Sequence, residues 1–345
     1  MVRTYSARVD VYRSGARVTS LLFPLDNPPE ITASASAAIK TGLRGTFRIN
    51  DEAQLLTDEL RPVQIIDGVE HPAGVFHAAS YSEQISERGR FMVIEAYDKG
   101  FILQSTTTET SLHFAAGTNY IAAVEQLLTA AGISLRMITP TTATLSTERE
   151  GWKIGTDYLT IINELLAEIN YAPIWFDERG YAVIRPIIEP SAENIQHTYA
   201  GTDVTSVLSY NTTAAVDIFG RPNVFVGVCE NPDLPAPLIA TAENNSALSA
   251  LSILRRGRRI TRVYTVRNIA SQAALQDYVN RLRLDSMMSS ETLSISTANM
   301  PGHGIGDTVA VVHPEINGIY RETGWRLSLG AGKLMTHTLE RRVFI

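Results

Sequence analysis

The stretch that most constrains this fold runs from Gly155 to Pro186 and predicts a capped helix followed by a β-hairpin. Thr156 is predicted to cap the helix, because its hydroxyl can accept a backbone N–H from the first turn. Asp157 then places a negative charge near the positive end of the helix dipole. The apolar side chains of the segment recur at helical spacing and share one face: Leu159, Ile162, Leu165, Leu166 and Ile169.

The second part of this stretch predicts the hairpin. Pro173 is expected to end the helix, because proline lacks the N–H that a helix interior needs. An extended run with Trp175 follows, and Asp177–Gly180 predicts a tight turn before the chain returns over residues 181–185. We expect Trp175 to fill the core of a packing module between two longer β-rich regions.

Residues on both sides of this module predict strands. Tyr5, Ala7, Val9 and Val11 alternate with polar residues, as in a half-buried strand. Short strands recur at a spacing of roughly ten residues, which is typical of barrels and sandwiches. The predicted fold class is α+β, mainly β, with two β-barrel tube-like domains separated by a small α/β domain.

The predicted domains have these bounds. Residues 1–108 form the first β-barrel tube-like domain and residues 109–200 the α/β middle domain. Residues 201–345 form the second β-barrel tube-like domain, with an inserted helix at about 271–287 that Ser271 caps. A chain of 345 residues exceeds what one hydrophobic core usually covers, which favours several domains.

A second helix is predicted over residues 118–132, with Thr118 as its cap and Gly132 as its stop. Its apolar offsets match those of the helix that begins near Thr156. This match indicates either a weak internal repeat or two amphipathic helices that share a period by default.

Composition excludes several classes of site. Cys229 is the only cysteine, so neither an intrachain disulfide nor a multi-cysteine metal site can form. The formal net charge of −6 argues against a dedicated nucleic-acid binder. No signal peptide is evident, and no run approaches the roughly 20 apolar residues that span a bilayer. We therefore expect a protein made in the cytoplasm that does not insert into membranes.

Motifs for known chemistry are absent from the sequence, so no catalytic, cofactor-binding or metal-binding residue is assigned and no cofactor is expected. His71 and His77 lie in adjacent strand-like segments and could share a metal, or be ordinary strand histidines. Gly302–Asp307 resembles a nucleotide-binding glycine loop, but a strand follows it rather than a helix. We interpret it as a β-turn.

Two charged groups of residues have open interpretations. Asp51, Glu52, Asp58 and Glu59 could be paired carboxylates, and the alternative is a solvated loop between strands. The densest basic cluster in the sequence could contact an acidic partner or be a solvated loop. Because the protein as a whole is acidic, we favour a protein–protein interface. This cluster consists of Arg255, Arg256, Arg258 and Arg259.

Four stretches, taken in this order, resemble the tail hub (baseplate hub) proteins of tailed bacteriophages and related contractile injection machines. They are Asp58–Gly74 with the following strand Phe91–Asp98, Trp152 with the module described above, Arg221–Val226 with a Pro-rich loop, and Trp325–Leu329 with its partner strand at residues 335–343. Together they span most of the chain.

The resemblance implies a structural protein of the virion tail tip or baseplate, assembled in the host cytoplasm, and not an enzyme. It implies a homotrimeric ring that joins a sixfold tail tube to a threefold tail-tip spike. The implied partners are the tail tube or distal tail protein, the spike and, as a further candidate, the tape measure protein. DNA would pass through the lumen without specific binding. Three copies of −6 sum to −18, a charge that repels DNA.

Two alternatives stay open at this point. The exposed acidic pairs and the tryptophans Trp152, Trp175 and Trp325 would also suit a cell-wall-degrading tail enzyme. Another tail structural protein, such as a distal tail protein, would share the β-rich order.

Overall fold

The computed structural model describes residues 4–87, 89–145, 148–200, 209–214, 220–229, 236–266 and 272–344. Strands make up 46% and helices 15% of the described residues, in large antiparallel sheets. The predicted mainly-β α+β class is therefore confirmed. None of the helices in the described part of the chain is long and apolar enough to cross a membrane.

Twenty-two strands and five helices lie in these residues. The strands are β1 (Tyr5–Arg13), β2 (Ala16–Leu21), β3 (Glu30–Ser34), β4 (Thr41–Arg48), β5 (Glu59–Ile66), β6 (Val69–Pro72), β7 (Phe76–Ser86), β8 (Gly89–Tyr97), β9 (Leu112–Phe114), β10 (Arg136–Ile138), β11 (Arg149–Trp152), β12 (Trp175–Phe176), β13 (Ala182–Ile184), β14 (His197–Ala200), β15 (Ser209–Ala214), β16 (Val224–Cys229), β17 (Leu238–Glu243), β18 (Thr261–Val266), β19 (Met288–Ala298), β20 (Thr308–Val312), β21 (Asn317–Ser328) and β22 (Leu334–Phe344). The helices are α1 (Gly100–Ser105), α2 (Tyr120–Ala130), α3 (Tyr158–Glu168), α4 (Ile253–Arg256) and α5 (Gln272–Ser286).

The chain divides into two compact units. The larger contains Met1–Tyr210 and Ser294–Leu339, and the smaller contains Asn211–Leu293 and Glu340–Ile345. This division by contacts does not decide the predicted domain boundaries at residues 108 and 200, which stay predictions. Most of the Pro-rich loop that follows Val226 lies outside the described residues, as does the Ser271 cap.

The larger unit is built on one long sheet. Within this unit, neighbouring strands follow the order β21, β3, β4, β8, β7, β5, β1, β2, so strand β21 from the C-terminal part of the chain joins the N-terminal strand β3. That pairing is antiparallel and places Leu327 opposite Ile31. Both side chains are buried in a core that also contains Phe47, Phe76 and Ile94. Burial of apolar area along this seam holds the two ends of the chain together.

A separate core lies under helices α2 and α3. The small sheet beside them joins β10 to β13 in parallel and β12 to β13 antiparallel. The predicted apolar face of α3 is confirmed for Leu159, Ile162, Leu165 and Leu166, which are all buried there, whereas Ile169 is the C-cap residue and is only partly buried. This core covers the middle of the chain, where the sequence predicts an α/β module.

The helix ends differ from the predicted ones. Asp157, not Thr156, caps α3, since its carboxylate accepts the backbone N–H of Thr160 at 2.8 Å. Asn119, not Thr118, caps α2 through the N–H groups of residues 121 and 122. Helix α3 ends before Pro173, because Asn170 adopts a left-handed φ of 57° that helical residues do not have.

The predicted hairpin after α3 is confirmed. Trp175 in β12 pairs with Val183 in β13, and the turn between them closes with a hydrogen bond from the Gly180 N–H to the Asp177 carbonyl at 3.0 Å. Gly180 has a φ of +82°, and an added Cβ would lie 2.9 Å from Val75. Glycine is needed here for both reasons.

The smaller unit packs one helix on a three-stranded sheet. Strand β16 pairs antiparallel with β17 and parallel with β18. Helix α5 agrees with the predicted helix at about 271–287, and its Leu275 and Val279 are fully buried. A Cβ on Gly227 would lie 2.7 Å from Val279, so the missing side chain lets the helix approach the sheet closely.

Candidate functional site

The described residues bring one group of buried titratable side chains together, namely His303, Glu322 and His337. We call it the His–Glu–His cluster. Glu322 lies on β21 and His337 on the neighbouring strand β22, while His303 lies in the loop before β20. Each of the three side chains is at most 1% exposed. All three belong to the larger unit.

Glu322 is shared by the two histidines. Its Oε2 lies 2.6 Å from Nδ1 of His303, and its Oε1 lies 2.6 Å from Nδ1 of His337. The far nitrogens meet hydroxyl groups: Nε2 of His303 is 2.8 Å from the Tyr199 hydroxyl, and Nε2 of His337 is 2.9 Å from the Thr297 hydroxyl. Every ring nitrogen of the cluster therefore has a polar partner, as buried polar groups require.

The loop that carries His303 is held from outside the cluster. The His197 ring stacks on the His303 ring with centroids 3.8 Å apart, and its Nε2 lies 3.4 Å from Asp307. Arg185 donates to the Ile305 carbonyl at 3.1 Å and to Asp307 at 3.2 Å. These contacts connect the hairpin strand β13 to the loop, so the module that includes Trp175 positions His303.

Burial and pairing set the charges of the cluster. Burial disfavours the charged carboxylate of Glu322, but hydrogen bonds from His303 and His337 outweigh burial and hold its pKa below the usual value. Burial lowers the pKa of His303, and the charge of Glu322 opposes that change only in part. The cluster is thus a buried anion between two imidazoles, out of reach of a soluble substrate.

The predicted Gly302–Asp307 turn is confirmed, with Gly306 at a φ of +80°. It carries no nucleotide-binding helix, since strand β20 follows it. The sequence did not reveal that His303 within this turn faces Glu322 and His337. Tyr320 and Glu322 lie two residues apart on β21, so they face the same side of the sheet, and both are buried. The signal available in the sequence was thus a carboxylate at an inward-facing strand position.

His71 and His77 do not share a site. The register places His71 opposite Gln64 and His77 opposite Glu59, both on strand β5. Five residues of strand separate these positions by about 16 Å. The hypothesis of a shared metal between them is wrong.

The four acidic residues separate into exposed and paired ones. Asp51 and Glu52 are exposed in a turn, as predicted for a solvated loop. Asp58 contradicts that expectation: it is buried and accepts two hydrogen bonds from Arg13, at 2.7 and 2.9 Å. The bond from Arg13 lowers the pKa of Asp58, so this carboxylate stays ionised. Glu59 lies on β5 and pairs with Arg61.

The predicted basic interface lies in the smaller unit. Arg255 and Arg256 end helix α4, and Gly257 caps it with a φ of +63° before Arg258 and Arg259. Arg255 donates to the Ala247 carbonyl at 3.1 Å, and Arg259 forms an ion pair with Glu243. The segment is thus a short capped helix rather than a plain loop. Its role as an interface stays a prediction.

Comparison with known proteins identifies the fold. No protein-family model matches the sequence, and no curated protein matches it significantly. Among solved structures, the chain is similar to the tail protein from Neisseria meningitidis MC58, with a TM-score of 0.67, 13% identity, and coverage of 98% of this chain and 97% of that one.

Two further solved structures are similar. The prophage MuSo2 43 kDa tail protein from Shewanella oneidensis has a TM-score of 0.66 and 12% identity, over 97% of this chain and 98% of that one. An E. coli type VI secretion system component, structurally similar to the T4 bacteriophage tail proteins gp27 and gp5, has a TM-score of 0.52 and 10% identity, over 97% and 76%. The chain therefore has the fold of phage tail proteins and their secretion-system counterparts.

Proposed function

We propose that the chain is a structural tail hub, located in the tail tip or baseplate of a virion or related injection machine. The observation that carries the proposal is the end-to-end correspondence with a solved tail protein, over 98% of this chain and 97% of that one. A match over nearly the whole length of both chains compares their full arrangement of elements rather than one shared module. Function does not follow from fold alone, so assembly must be tested directly.

The proposed assembly is a homotrimeric ring that joins the tail tube or distal tail protein to a spike. The similarity to a secretion component that itself resembles gp27 and gp5 supports this position. The formal charge of −6 per chain supports a lumen through which DNA passes without binding.

Native mass spectrometry of the purified chain tests the trimer. We expect a species of about 113 kDa, which is three copies of 37.8 kDa. Cryo-electron microscopy of assembled tails should then place threefold density for this chain at the tail tip. A strict monomer that is missing from assembled tails would contradict the hub, and a hexameric ring higher in the tail would favour a distal tail protein.

We also propose that the chain has no cell-wall-degrading activity. Support comes from the acidic residues that suggested one, because the buried Asp58 is committed to an ion pair with Arg13 and Glu59 to one with Arg61. The purified chain should release no fragments from purified cell walls. Release above the level of a heat-denatured sample of the same chain would contradict this proposal.

A further inference from the structure

We propose that the His–Glu–His cluster binds one divalent transition-metal ion, with Zn²⁺ as the expected occupant. The site would consist of Nδ1 of His303, Nδ1 of His337 and the carboxylate of Glu322. Imidazole nitrogens and a carboxylate are donors that zinc takes in proteins. The inference goes beyond the proposed hub function and does not depend on it.

Three side chains place their ligand atoms close together in this cluster. Each Nδ1 lies 2.6 Å from a different oxygen of the Glu322 carboxylate, and the ligand atoms of the three residues all lie within 4.8 Å of one another. Tetrahedral zinc with bonds of about 2.0–2.1 Å keeps its donors about 3.3 Å apart. The two contacts of 2.6 Å would therefore open by less than 1 Å.

The outer hydrogen bonds fix the orientation of the His337 ring. The Thr297 hydroxyl lies 2.9 Å from both the Ala298 carbonyl and Nε2 of His337, so its single proton can serve only one of them. In the arrangement that gives the Thr297 proton to the Ala298 carbonyl, Nε2 of His337 is the donor and Nδ1 of the neutral ring faces a carboxylate oxygen at 2.6 Å without a proton. Two acceptors at that distance need a cation between them, either a proton or a metal ion.

Burial favours the metal ion over the proton. Glu322 is 0% exposed, and its negative charge needs compensation inside the core. Arg185, which contacts the His303 loop, is already paired with Asp307. An imidazolium is costly in the same environment, because the His303 side chain is only 1% exposed and burial penalises a charged ring. A divalent cation bound by neutral rings compensates the charge without a buried imidazolium.

The second coordination shell is complete. Ligating histidines usually donate their other N–H to an oxygen, which fixes the ring. Here the Tyr199 and Thr297 hydroxyls occupy those positions, at 2.8 and 2.9 Å. With both carboxylate oxygens as ligands, three side chains fill the four positions of a distorted tetrahedral site. The metal would thus be structural, joining the His303 loop to strands β21 and β22.

Metal analysis of the untagged full chain tests the proposal. The chain is dialysed against EDTA, reloaded with Zn²⁺, desalted and analysed by plasma mass spectrometry. We expect one zinc ion per chain and a rise in melting temperature of about 4 °C with zinc in 100-fold excess over its Kd. Cobalt substitution should give the visible absorption of a tetrahedral site. Background metal content with no shift in melting would overturn the proposal.

Matched variants localise the ion. Glu322→Gln and His337→Gln should lose the bound zinc and the zinc-dependent shift, whereas His113→Gln, which removes an exposed histidine on β9, should retain both. Equal zinc content in His337→Gln and the unsubstituted chain would overturn the proposal. Should the cluster variants not fold, the cobalt spectrum of the unsubstituted chain decides, because it requires no substitution.

Discussion

Asp98 is a buried carboxylate whose pKa is raised toward neutral pH by burial. Its Oδ2 accepts the N–H of Thr41 at 2.9 Å and its Oδ1 accepts the N–H of Gly100 at 2.7 Å. Burial nevertheless outweighs these bonds and raises the pKa of Asp98 to about 6. Lys40 lies nearby, but its ammonium group donates to the carbonyls of Ala35 and Ala37, at 2.7 and 2.6 Å.

This environment makes stability depend on pH in a defined direction. The folded pKa of about 6 lies above the ordinary value of 3.8, so the folded state binds the proton more tightly than the unfolded state. The free energy of unfolding should therefore fall as the pH rises from about 4 to about 6, by about 3 kcal/mol from this group, and level off above. Urea unfolding across that range measures the effect.

The variant Asp98→Asn should lose this pH dependence, because an amide does not ionise. It should also lose one hydrogen bond, because its NH₂ group would face a backbone N–H that now donates to the carboxylate. The exposed Asp26→Asn is the control and should keep the slope of the unsubstituted chain. Identical slopes in all three proteins would show that Asp98 is not the responsible group.

The N-terminus of helix α3 is capped by a single side chain, that of Asp157. Asp157 accepts the Thr160 N–H and the Thr160 hydroxyl, both at 2.8 Å. We expect Asp157→Ala to lower the free energy of unfolding by about 1 kcal/mol, and Asp157→Asn to change it little, because Asn caps equally well. Chemical denaturation of the three proteins measures this, and an equal loss in both variants would show that charge rather than capping matters.

Hairpin β12–β13 contacts the His303 loop through Trp175. A Cβ on Gly304 would lie 2.6 Å from the indole ring, and the Arg185 guanidinium lies 5.7 Å from the ring centroid. We expect Trp175→Ala to lower the free energy of unfolding by about 3–5 kcal/mol, because it leaves a large cavity. Its effect should appear as lower melting and weaker assembly.

Trp175→Phe is the matched control for this contact. The indole Nε1 has no hydrogen-bond partner among the described residues, so phenylalanine removes ring volume without breaking a bond. Trp175→Phe should lower the free energy of unfolding clearly less than Trp175→Ala does. Unchanged melting of Trp175→Ala would show instead that the ring is a surface contact of the isolated chain.

Local patterns in the sequence predicted most elements but not their partners. The apolar periodicity of α3 and the position of α5 were readable, because helices form from residues close in sequence. The caps were each one residue off, since Thr156 and Asp157, like Thr118 and Asn119, are both capable of capping. Which of them does so depends on the backbone angles at the first turn.

The His–Glu–His cluster was not predictable for a related reason. His303 and His337 lie 19 and 15 residues from Glu322, and they meet only because β21 and β22 are neighbours and the loop folds back. Likewise, the seam between β21 and β3 joins residues almost 300 positions apart. Register over such separations depends on the whole sheet, and no local motif encodes it.

The net negative charge of the whole molecule predicts that it binds DNA weakly. The chain has a sequence pI of about 5.7, and three copies carry a formal charge of −18 at neutral pH. Non-specific DNA binding depends on neutralising phosphates with basic side chains, which gives Kd values of about 1–100 μM at physiological salt. We expect the assembled protein to bind double-stranded DNA more weakly than about 100 μM.

Fluorescence anisotropy with a labelled duplex at several salt concentrations tests this expectation. Replacing Arg255, Arg256, Arg258 and Arg259 by alanine changes the formal charge from −6 to −10 and serves as the matched variant. Both proteins should leave the duplex free, because the cluster is predicted to meet protein rather than phosphate. Micromolar binding that weakens with salt and disappears in the variant would identify the cluster as a nucleic-acid contact. It would also argue against a lumen through which DNA slides unbound.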